Sequence, residues 1–463
     1  MSRKNGIRKN RSRPIRAAAS LPALNPHVAG IDVGATQMFV CVPPDSCAEP
    51  IWIFDTFTED LYQLADRLKD CGVLSVAMES TGVYWIPLYQ ILEDRGIAVT
   101  LVNPGYRRSY TLKTDVEDCQ KLQYLHSVGL LTGSFRPAQQ VCAVRSIMRH
   151  RTNKVEEAAS HVQRMQKSLD QMNLRLHNVI TDITGMTGLS IIDDILSGEQ
   201  NSDILALHRD GRVKATAAEI AKSLVGDYRP EHLFTLAQAL ESYRFCHAQI
   251  AKCDAQIETM LAQFDSQIDA AQSDDPSLPP TSHPKHASHS KNDIKLTNTS
   301  LTAELRRIFG VDITVVPGLG ASSVCALLTE IGPNLSKFAS AGHFVSWMAL
   351  CPQNQVSGGK VLSKGTRKVK SRVAAIFRLA AQTLWRNQSY LGETYRRLKY
   401  RLSPAQVNTA LAHKLARIFY HMVTTKEAYN EAVFEIETER IKQKKLNRLY
   451  KDAAHFGLTI TPA

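Results

Sequence analysis

A carboxylate set inside an apolar β-run restricts the folds open to a chain. A buried charge is costly unless it is paired or binds a cation. Asp32 stands in such a run, His27-Val28-Ala29-Gly30-Ile31-Asp32-Val33-Gly34, and Glu79 closes a second, Val73 to Met78. Asp115 and Asp118 lie three apart at a helix start, in Lys113-Thr114-Asp115-Val116-Glu117-Asp118. That spacing puts both on one helix face. Four carboxylates converging on one edge of a sheet suggest a divalent-metal site. Each alone also has a structural reading; Asp115, for example, suits a helix N-terminus as a favourable charge.

The surrounding pattern gives the carboxylates a scaffold. Alternation through Val28, Ile31, Val33, Met38, Val40 and Val42 predicts a strand, a Gly-containing turn and a second strand. Ile51-Trp52-Ile53-Phe54 predicts a third strand. Leu61, Leu64, Ala65 and Leu68 share one face of a helix over about 59–70. A buried strand to Met78 follows, then a helix from Tyr84 to Arg95 closed by Gly96, and a strand from Ile97 to Val102. Thr114 can cap the next helix, with Glu117 completing a capping box. Three strands, then helix, strand, helix, strand, helix, is the order of an α/β RNase H-like domain.

The chain has 463 residues, too many for one ordinary core, so two or three domains are expected. From Val144 the apolar period changes. Val144, Met148, Arg151, Val155, Ala158, Val162, Met165, Leu169, Met172 and Leu176 step by four and three, with only Arg151 not apolar. A second seam runs Leu236, Ala239, Tyr243, Cys246, Ile250, Cys253, Ile257, Met260. These are heptad seams of a coiled-coil middle. They fit antiparallel pairing within one chain and pairing across a dimer equally well. Residues 185–231 between them read as short helices, and 271–300, polar and Pro-rich, as a flexible linker. His283, His286 and His289 fall in this linker, where a polar tract is a commoner reading than a metal site.

Charge points to a polyanion. The net charge is +12, residues 1–16 hold seven Lys/Arg and no acid, and Lys360 to Arg372 holds six and no acid. The six are Lys360, Lys364, Arg367, Lys368, Lys370 and Arg372. No apolar run reaches the length of a membrane span and no signal-peptide pattern opens the chain, so no membrane partner is expected. Nine cysteines form no CxxC pair, as expected of reduced thiols in a cytoplasmic protein.

A mainly helical second unit begins near Leu301. Val315-Val316-Pro317-Gly318-Leu319-Gly320 resembles the turn of a helix-hairpin-helix, in which the amides about Gly318 and Gly320 hold a DNA phosphate. A plain tight turn explains it equally well. Gln355-Val356-Ser357-Gly358-Gly359-Lys360 forms a small-residue loop leading into the basic cluster. A helix from about Val369 to Asn387 carries Lys370 and Arg372 in its first turn, and a basic tail ends the chain.

Two Mg2+ ions about 4 Å apart can activate an attacking oxygen and stabilise a leaving one. Asp32, Glu79, Asp115 and Asp118 supply hard oxygen ligands, too few for a closed cage, as Mg2+ prefers. Gly30-Ile31-Asp32-Val33-Gly34-Ala35-Thr36 also resembles the first phosphate loop of sugar kinases and actin-like ATPases. Those proteins need a second phosphate loop and an adenosine motif, which the sequence lacks. A non-catalytic nucleic-acid scaffold is a third reading, against which stand acids at all four positions.

Gly30-Ile31-Asp32-Val33, Glu79-Ser80-Thr81-Gly82-Val83-Tyr84, Val102-Asn103-Pro104 and Lys113-Thr114-Asp115-x-x-Asp118 together resemble the DEDD transposases of bacterial insertion sequences, the family numbered one hundred and ten. Pro317-Gly318-Leu319-Gly320, Phe338, Phe344, Ala349-Leu350-Cys351-Pro352, Ser357-Gly358 and Ser363-Lys364-Gly365 resemble that family's C-terminal domain. Cys351 stands where the family often has Thr or Ala, and Cys119 where Ala is common.

The resemblance implies a tail (1–26), a RuvC-like DEDD domain (27–137), a coiled-coil middle (138–268), a linker (269–300), a transposase domain with a catalytic serine (301–430) and a basic helical tail (431–463). It implies a recombinase that acts on donor and target double-stranded DNA, guided by a structured RNA from the element, so that base pairing reads sequence. It also implies that Ser357 attacks DNA and forms a covalent phosphoserine link, activated by the metal site of the same or another protomer in a dimer or tetramer. Without the resemblance Ser357 reads as a loop residue, and Ser363 is its nearest competitor. A protein-only RuvC-like Holliday-junction nuclease is the alternative.

Overall fold

A computed structural model of the chain describes residues 21–103, 114–268, 291–363, 365–367, 369–455 and 457. The chain divides into two compact units, one ending at Arg136 and one beginning at Pro137.

The first unit is a mixed five-stranded sheet with helices on both faces. Strands β1 (Val28–Val33), β2 (Gln37–Cys41), β3 (Ile51–Asp55), β4 (Ser75–Glu79) and β5 (Ala98–Val102) lie in the order β3-β2-β1-β4-β5. β1–β2 and β2–β3 are antiparallel; β1–β4 and β4–β5 are parallel. Helices α1 (Thr58–Asp70) and α2 (Trp85–Asp94) make the crossovers into the two parallel strands. The predicted element order is therefore met strand for strand. The apolar face of α1, Leu61, Leu64, Ala65 and Leu68, packs with Leu88 and Leu92 of α2 onto Ala29, Ile31, Val33, Met38 and Val40. Helix α3 (Asp115–Ser127) covers the opposite face, where Leu122 meets Ala77 and Val102. Residues at the edge of the expected tail are tied in, since the Leu24 and Asn25 amides both donate to the Ser127 carbonyl at 2.8 Å.

The second unit opens with a long antiparallel helical hairpin, α4 (Gln139–Gln171) against α9 (Pro230–Leu261). Ser168 contacts Thr235 and Arg151 contacts Asp254, so the two helices run in opposite directions within one chain. This decides between the two pairings that the seams allow. The helix stops short of the predicted seam. Its C-cap is Met172, and Asn173 takes φ 57°, which sends Leu176 into the short helix α5 (Leu176–Val179). With α6 (Met186–Leu196), α7 (Ser202–Ala206) and α8 (Ala217–Ser223), α5 caps the hairpin's far end over Ile191, Ile192, Ile195, Leu205 and Ile220.

At the near end the hairpin joins a bundle of α10 (Leu301–Phe309), α11 (Ala321–Ile331), α12 (Ala341–Trp347), α13 (Arg372–Thr383), α14 (Tyr390–Lys399) and α15 (Pro404–Thr425). Phe309, Phe344, Phe377 and Phe419 are fully buried there, with Phe419 within 5.7–6.2 Å of each of the others between ring centroids. Arg145 donates to the carbonyls of Thr329 (2.9 Å) and Glu330 (2.6 Å), and Arg149 grips the Glu330 carboxylate with two nitrogens. A guanidinium against the last turn of α11 satisfies carbonyls that lack helical partners.

The off-pattern Arg151 now has a reason. Its guanidinium meets the Asp254 carboxylate at 2.5 Å, both side chains being almost fully buried, and also donates to the Asn292 and Asp293 carbonyls. Glu258 accepts from the amides of Thr297 and Asn298. Residues 291–300, expected as the end of a flexible linker, therefore lie bonded along α9. The rest of that expected linker, 269–290 with its three histidines, is outside the described residues. Helix α16 (Glu435–His455) is the last helix among the described residues. All nine cysteines are free, and no helix among the described residues is long and apolar enough to cross a membrane.

Candidate active site

The first unit brings carboxylates together through strand register. Ile31 of β1 is level with Met78 of β4, which sets Asp32 beside Glu79 at the carboxyl ends of the two parallel strands. Successive strand residues alternate between faces. Ile31, Val33 and Met78 belong to the α1–α2 side. Gly30, Asp32, Ala77 and Glu79 therefore face α3. On α3, Asp118 and Leu122 are four apart and share the stripe that packs on Ala77.

Gly30 is what lets α3 come so close. A Cβ at this position would stand 2.3 Å from the Gln123 amide nitrogen and 2.4 Å from the Cys119 carbonyl oxygen. The helix backbone lies directly on β1, and Asp118 is carried over the strand end. Glu79 is 4% exposed and Asp118 8%, whereas Asp32 is half-buried and Asp115 exposed in the first turn of α3. Thr114 caps this helix, its hydroxyl accepting from the Glu117 amide at 3.2 Å.

Two hydroxyls fix the end of β4. Thr81 donates to Glu79 Oε1 at 2.7 Å, which sets the rotation of that carboxylate. Ser80 donates to the Val102 carbonyl through both its amide (3.0 Å) and its hydroxyl (3.1 Å), pinning the strand end to β5. Cys119 lies beside Asp32. Its hydrogen bond with Cys41, its burial and the negative Asp32 all push its thiol pKa upward, so it stays neutral. Gly30 and Thr81 both fall in the motifs quoted from the sequence, but their roles, admitting the α3 backbone and holding the Glu79 carboxylate, are seen only in the fold. The signal available was the Thr two residues after the strand-end Glu, and the Gly two before the strand Asp.

Asp32, Glu79 and Asp118 thus share one sheet–helix face, with Asp115 a turn earlier on α3. Their oxygen donors suit a hard cation such as Mg2+. Among the described residues, however, no three His, Cys, Asp or Glu side chains are drawn close enough to form a ready metal cage.

Ser357 belongs to the second unit. It ends strand β6 (Gln355–Ser357), which pairs antiparallel with β7 (Lys360–Ser363). The connecting residues Gly358 and Gly359 take φ 54° and 75°. Positive φ at both centres of a two-residue turn is type I′ geometry, which matches the twist of a hairpin and favours glycine. The ribbon continues through the Pro352–Thr366 bridge and the Gln353 amide bonded to the Gly365 carbonyl at 2.8 Å. Ser357 and Lys360 are exposed at its tip.

The basic residues are spread along the chain beyond this tip. Arg367 donates to the Ser346 carbonyl, while Lys370 and Arg372 are exposed. Ser371 is the N-cap of α13, so Lys370 precedes the helix rather than standing in its first turn as expected. Ser371 caps through its hydroxyl to the Ala374 amide, which fixes the start there. Lys364 and Lys368 lie outside the described residues. From Glu330 to Glu393 the sequence has no acid between.

Gly318 has a packing reason of its own. With φ 92°, a Cβ there would come within 2.8 Å of the Ala380 carbonyl of α13. Gly320 is the N-cap of α11, with nothing within 4 Å of an added Cβ.

Comparison with known proteins matches both units. Residues 29–174 match the transposase model of the DEDD domain of the IS110 type, and residues 312–396 match the model described as transposase IS116/IS110/IS902 family. Over 177 residues the chain is 27% identical to a presumed transposase, y4pF/y4sB, of Sinorhizobium fredii (strain NBRC 101917 / NGR234). That alignment covers 35% of this chain and 46% of the relative, so the chain spans about half the length of the curated relative it matches.

Proposed function

We propose a reaction for a chain that belongs to the IS110 family of insertion-sequence transposases: RNA-guided recombination of donor and target DNA through a phosphoserine intermediate. The observation that carries the reading is the shared face of Asp32, Glu79 and Asp118 in the unit matched to the DEDD domain. We read that unit as an RNase H-like, RuvC-like fold, which its strand order supports.

Asp32, Glu79 and Asp118, with Asp115 at the rim, would hold Mg2+. Bound there, Mg2+ activates an attacking oxygen and stabilises a leaving one. Thr81 holds the Glu79 carboxylate in one rotation, and burial of Glu79 and Asp118 limits their hydration. Ser357, presented on the hairpin tip, attacks a DNA phosphorus atom. Its hydroxyl loses a proton as the Oγ–P bond forms. The P–O bond to one sugar breaks, and the departing sugar oxygen takes up a proton. Attack by a strand hydroxyl on the same phosphorus reverses the chemistry and joins the new strand. Bond energy is thereby conserved, and the outcome is strand transfer rather than hydrolysis. The carboxylates and the serine that act together come from the same chain or from two copies in a dimer or tetramer.

Recognition would be divided. The acid-free basic stretch between Glu330 and Glu393 suits phosphate backbones, which position without reading sequence. Sequence would be read by a structured RNA from the element through base pairing.

Incubation of the full chain with its co-purified RNA and a nicked suicide DNA duplex tests the reading. Wild type is expected to leave a covalent protein–DNA band that needs Mg2+ and is absent in Ser357→Ala. A persisting band in Ser357→Ala, or full activity in EDTA, overturns it. Sequencing of the co-purified RNA should return one discrete structured species; random cellular RNA would favour a protein-only recombinase or resolvase.

A further inference from the structure

The hairpin that presents Ser357 presents a second functional group with it. Register pairs Ser357 with Lys360 across the two-glycine turn. Directly opposed residues of an antiparallel pair have Cβ atoms about 4.5–5.5 Å apart on the same face. Val356 and Val361 form the next pair, and alternation puts them on the other face. One face of the ribbon tip is thus aliphatic, and the other consists of one hydroxyl and one ammonium. Gly358 and Gly359 hold this pairing, because their positive φ values are those that an L side chain rarely adopts.

We propose that Lys360 binds a non-bridging oxygen of the scissile phosphate and neutralises its charge while Ser357 attacks. The inference rests on Ser357 being the nucleophile. Three features argue for it. A phosphodiester anion repels an incoming oxygen, so a cation fixed beside the nucleophile favours the transition state. Lysine is a point charge on a flexible stem, suited to a single phosphate oxygen rather than to a bidentate grip. Both side chains are exposed at the tip, and the surrounding sequence from Glu330 to Glu393 offers no acid between them to compete for the ammonium. Ser363, the other serine of the ribbon, pairs with Gln355 at the ribbon's base and has no basic residue across from it. The inference thereby also separates the two serines.

The test is charge removal on either side of the contact. Full chain with its co-purified RNA is given the suicide duplex carrying either an ordinary phosphodiester or a neutral methylphosphonate at the scissile position. Lys360→Gln is expected to slow adduct formation on the phosphodiester by about 10²–10³-fold. On the methylphosphonate, wild type and Lys360→Gln should differ by only a few-fold, since no charge remains to neutralise. Lys360→Arg should keep most of the wild-type rate on the phosphodiester. In parallel, ethylammonium added to Lys360→Ala should raise its adduct rate. An unchanged rate in Lys360→Gln overturns the proposal. So does a defect that neither the neutral substrate nor the added amine relieves. If Ser357→Ala, run alongside, still forms the adduct, it is the nucleophile reading that has failed, and with it this one's premise.

Discussion

Replacing Gly30 with alanine tests how the carboxylate face is built. The added methyl would stand 2.3 Å from the Gln123 nitrogen and 2.4 Å from the Cys119 oxygen, where ordinary contact begins at 3.4 Å. Both atoms are backbone, so no side chain can swing away; α3 has to move off β1 by about 1 Å, the shortfall in that contact. Asp118 precedes Cys119 and moves with it, whereas Asp32 and Glu79 stay with the sheet. Forcing an extra methyl into a packed contact costs about 1–3 kcal/mol, which lowers the melting temperature by several degrees. A displacement of about 1 Å at a reacting constellation costs about 10²-fold in rate. The assay pairs a thermal melt with Mg2+-dependent adduct formation at a temperature where the variant is still folded. Gly211→Ala, with nothing within 4 Å of the new methyl, serves as the control and should change neither measure. A Gly30→Ala protein with wild-type melting and adduct formation would refute the close approach of α3. Activity lost only in proportion to the unfolded fraction would refute the link from that approach to Asp118.

Two further predictions concern buried polar groups. Arg151→Met leaves Asp254 as an uncompensated buried charge and should cost about 3–5 kcal/mol in urea unfolding, whereas Arg151→Met with Asp254→Leu should recover most of it; equal loss in the two proteins would show that the bonds to Asn292 and Asp293 matter more than the charge. His126 is buried against Ser75 Oγ at 2.8 Å, and burial lowers its pKa below the ordinary 6.5. The unfolded chain then binds its proton first as pH falls, so stability should decline below about pH 6.5 and level off once the folded state also takes the proton. His126→Gln should flatten the melting-temperature profile in that window, and an unaltered profile would exclude His126 as the cause.

How much of this was legible in sequence depended on the range of the interaction concerned. Alternation, apolar runs and helical spacing marked every strand and helix of the first unit, because such patterns are local. Asp32 and Glu79 could be picked out because charges in apolar runs are rare. Their convergence on one sheet edge was expected from the sequence, but not the register that puts Asp32 beside Glu79, since it depends on β1 pairing with β4 across an intervening hairpin and helix. The seam showed that α4 and α9 need partners but not which ones, because a heptad face is blind to chain connectivity. Arg151 looked like a defect in that seam until its distant partner Asp254 was placed opposite. Leu176 kept the apolar rhythm after the helix had already ended at Gln171, since apolar spacing continues into any segment that is buried. Backbone close approach leaves the weakest trace of all: Gly30 read as part of a strand and its motif, and Gly318 as a turn glycine, but each is explained by a helix lying against it.

The two halves of the proposed chemistry differ in how they are held, and the difference follows from their physics. Carboxylates that are to gather a cation gain from low dielectric and fixed orientation, and Glu79 and Asp118 have both, at the buried junction of a sheet and a helix. A serine hydroxyl gains nothing from burial alone, because it is a weak nucleophile until a base or metal activates it. Ser357 instead occupies an exposed tip whose conformation is set by two glycines rather than by packing, so only the turn and its cross-strand pairing define where the oxygen stands relative to Lys360. An exposed hydroxyl without an activator does not cleave DNA by chance encounter. Under the proposed reaction, the Ser357 hydroxyl therefore depends on a base or metal to activate it, which an exposed position does not supply.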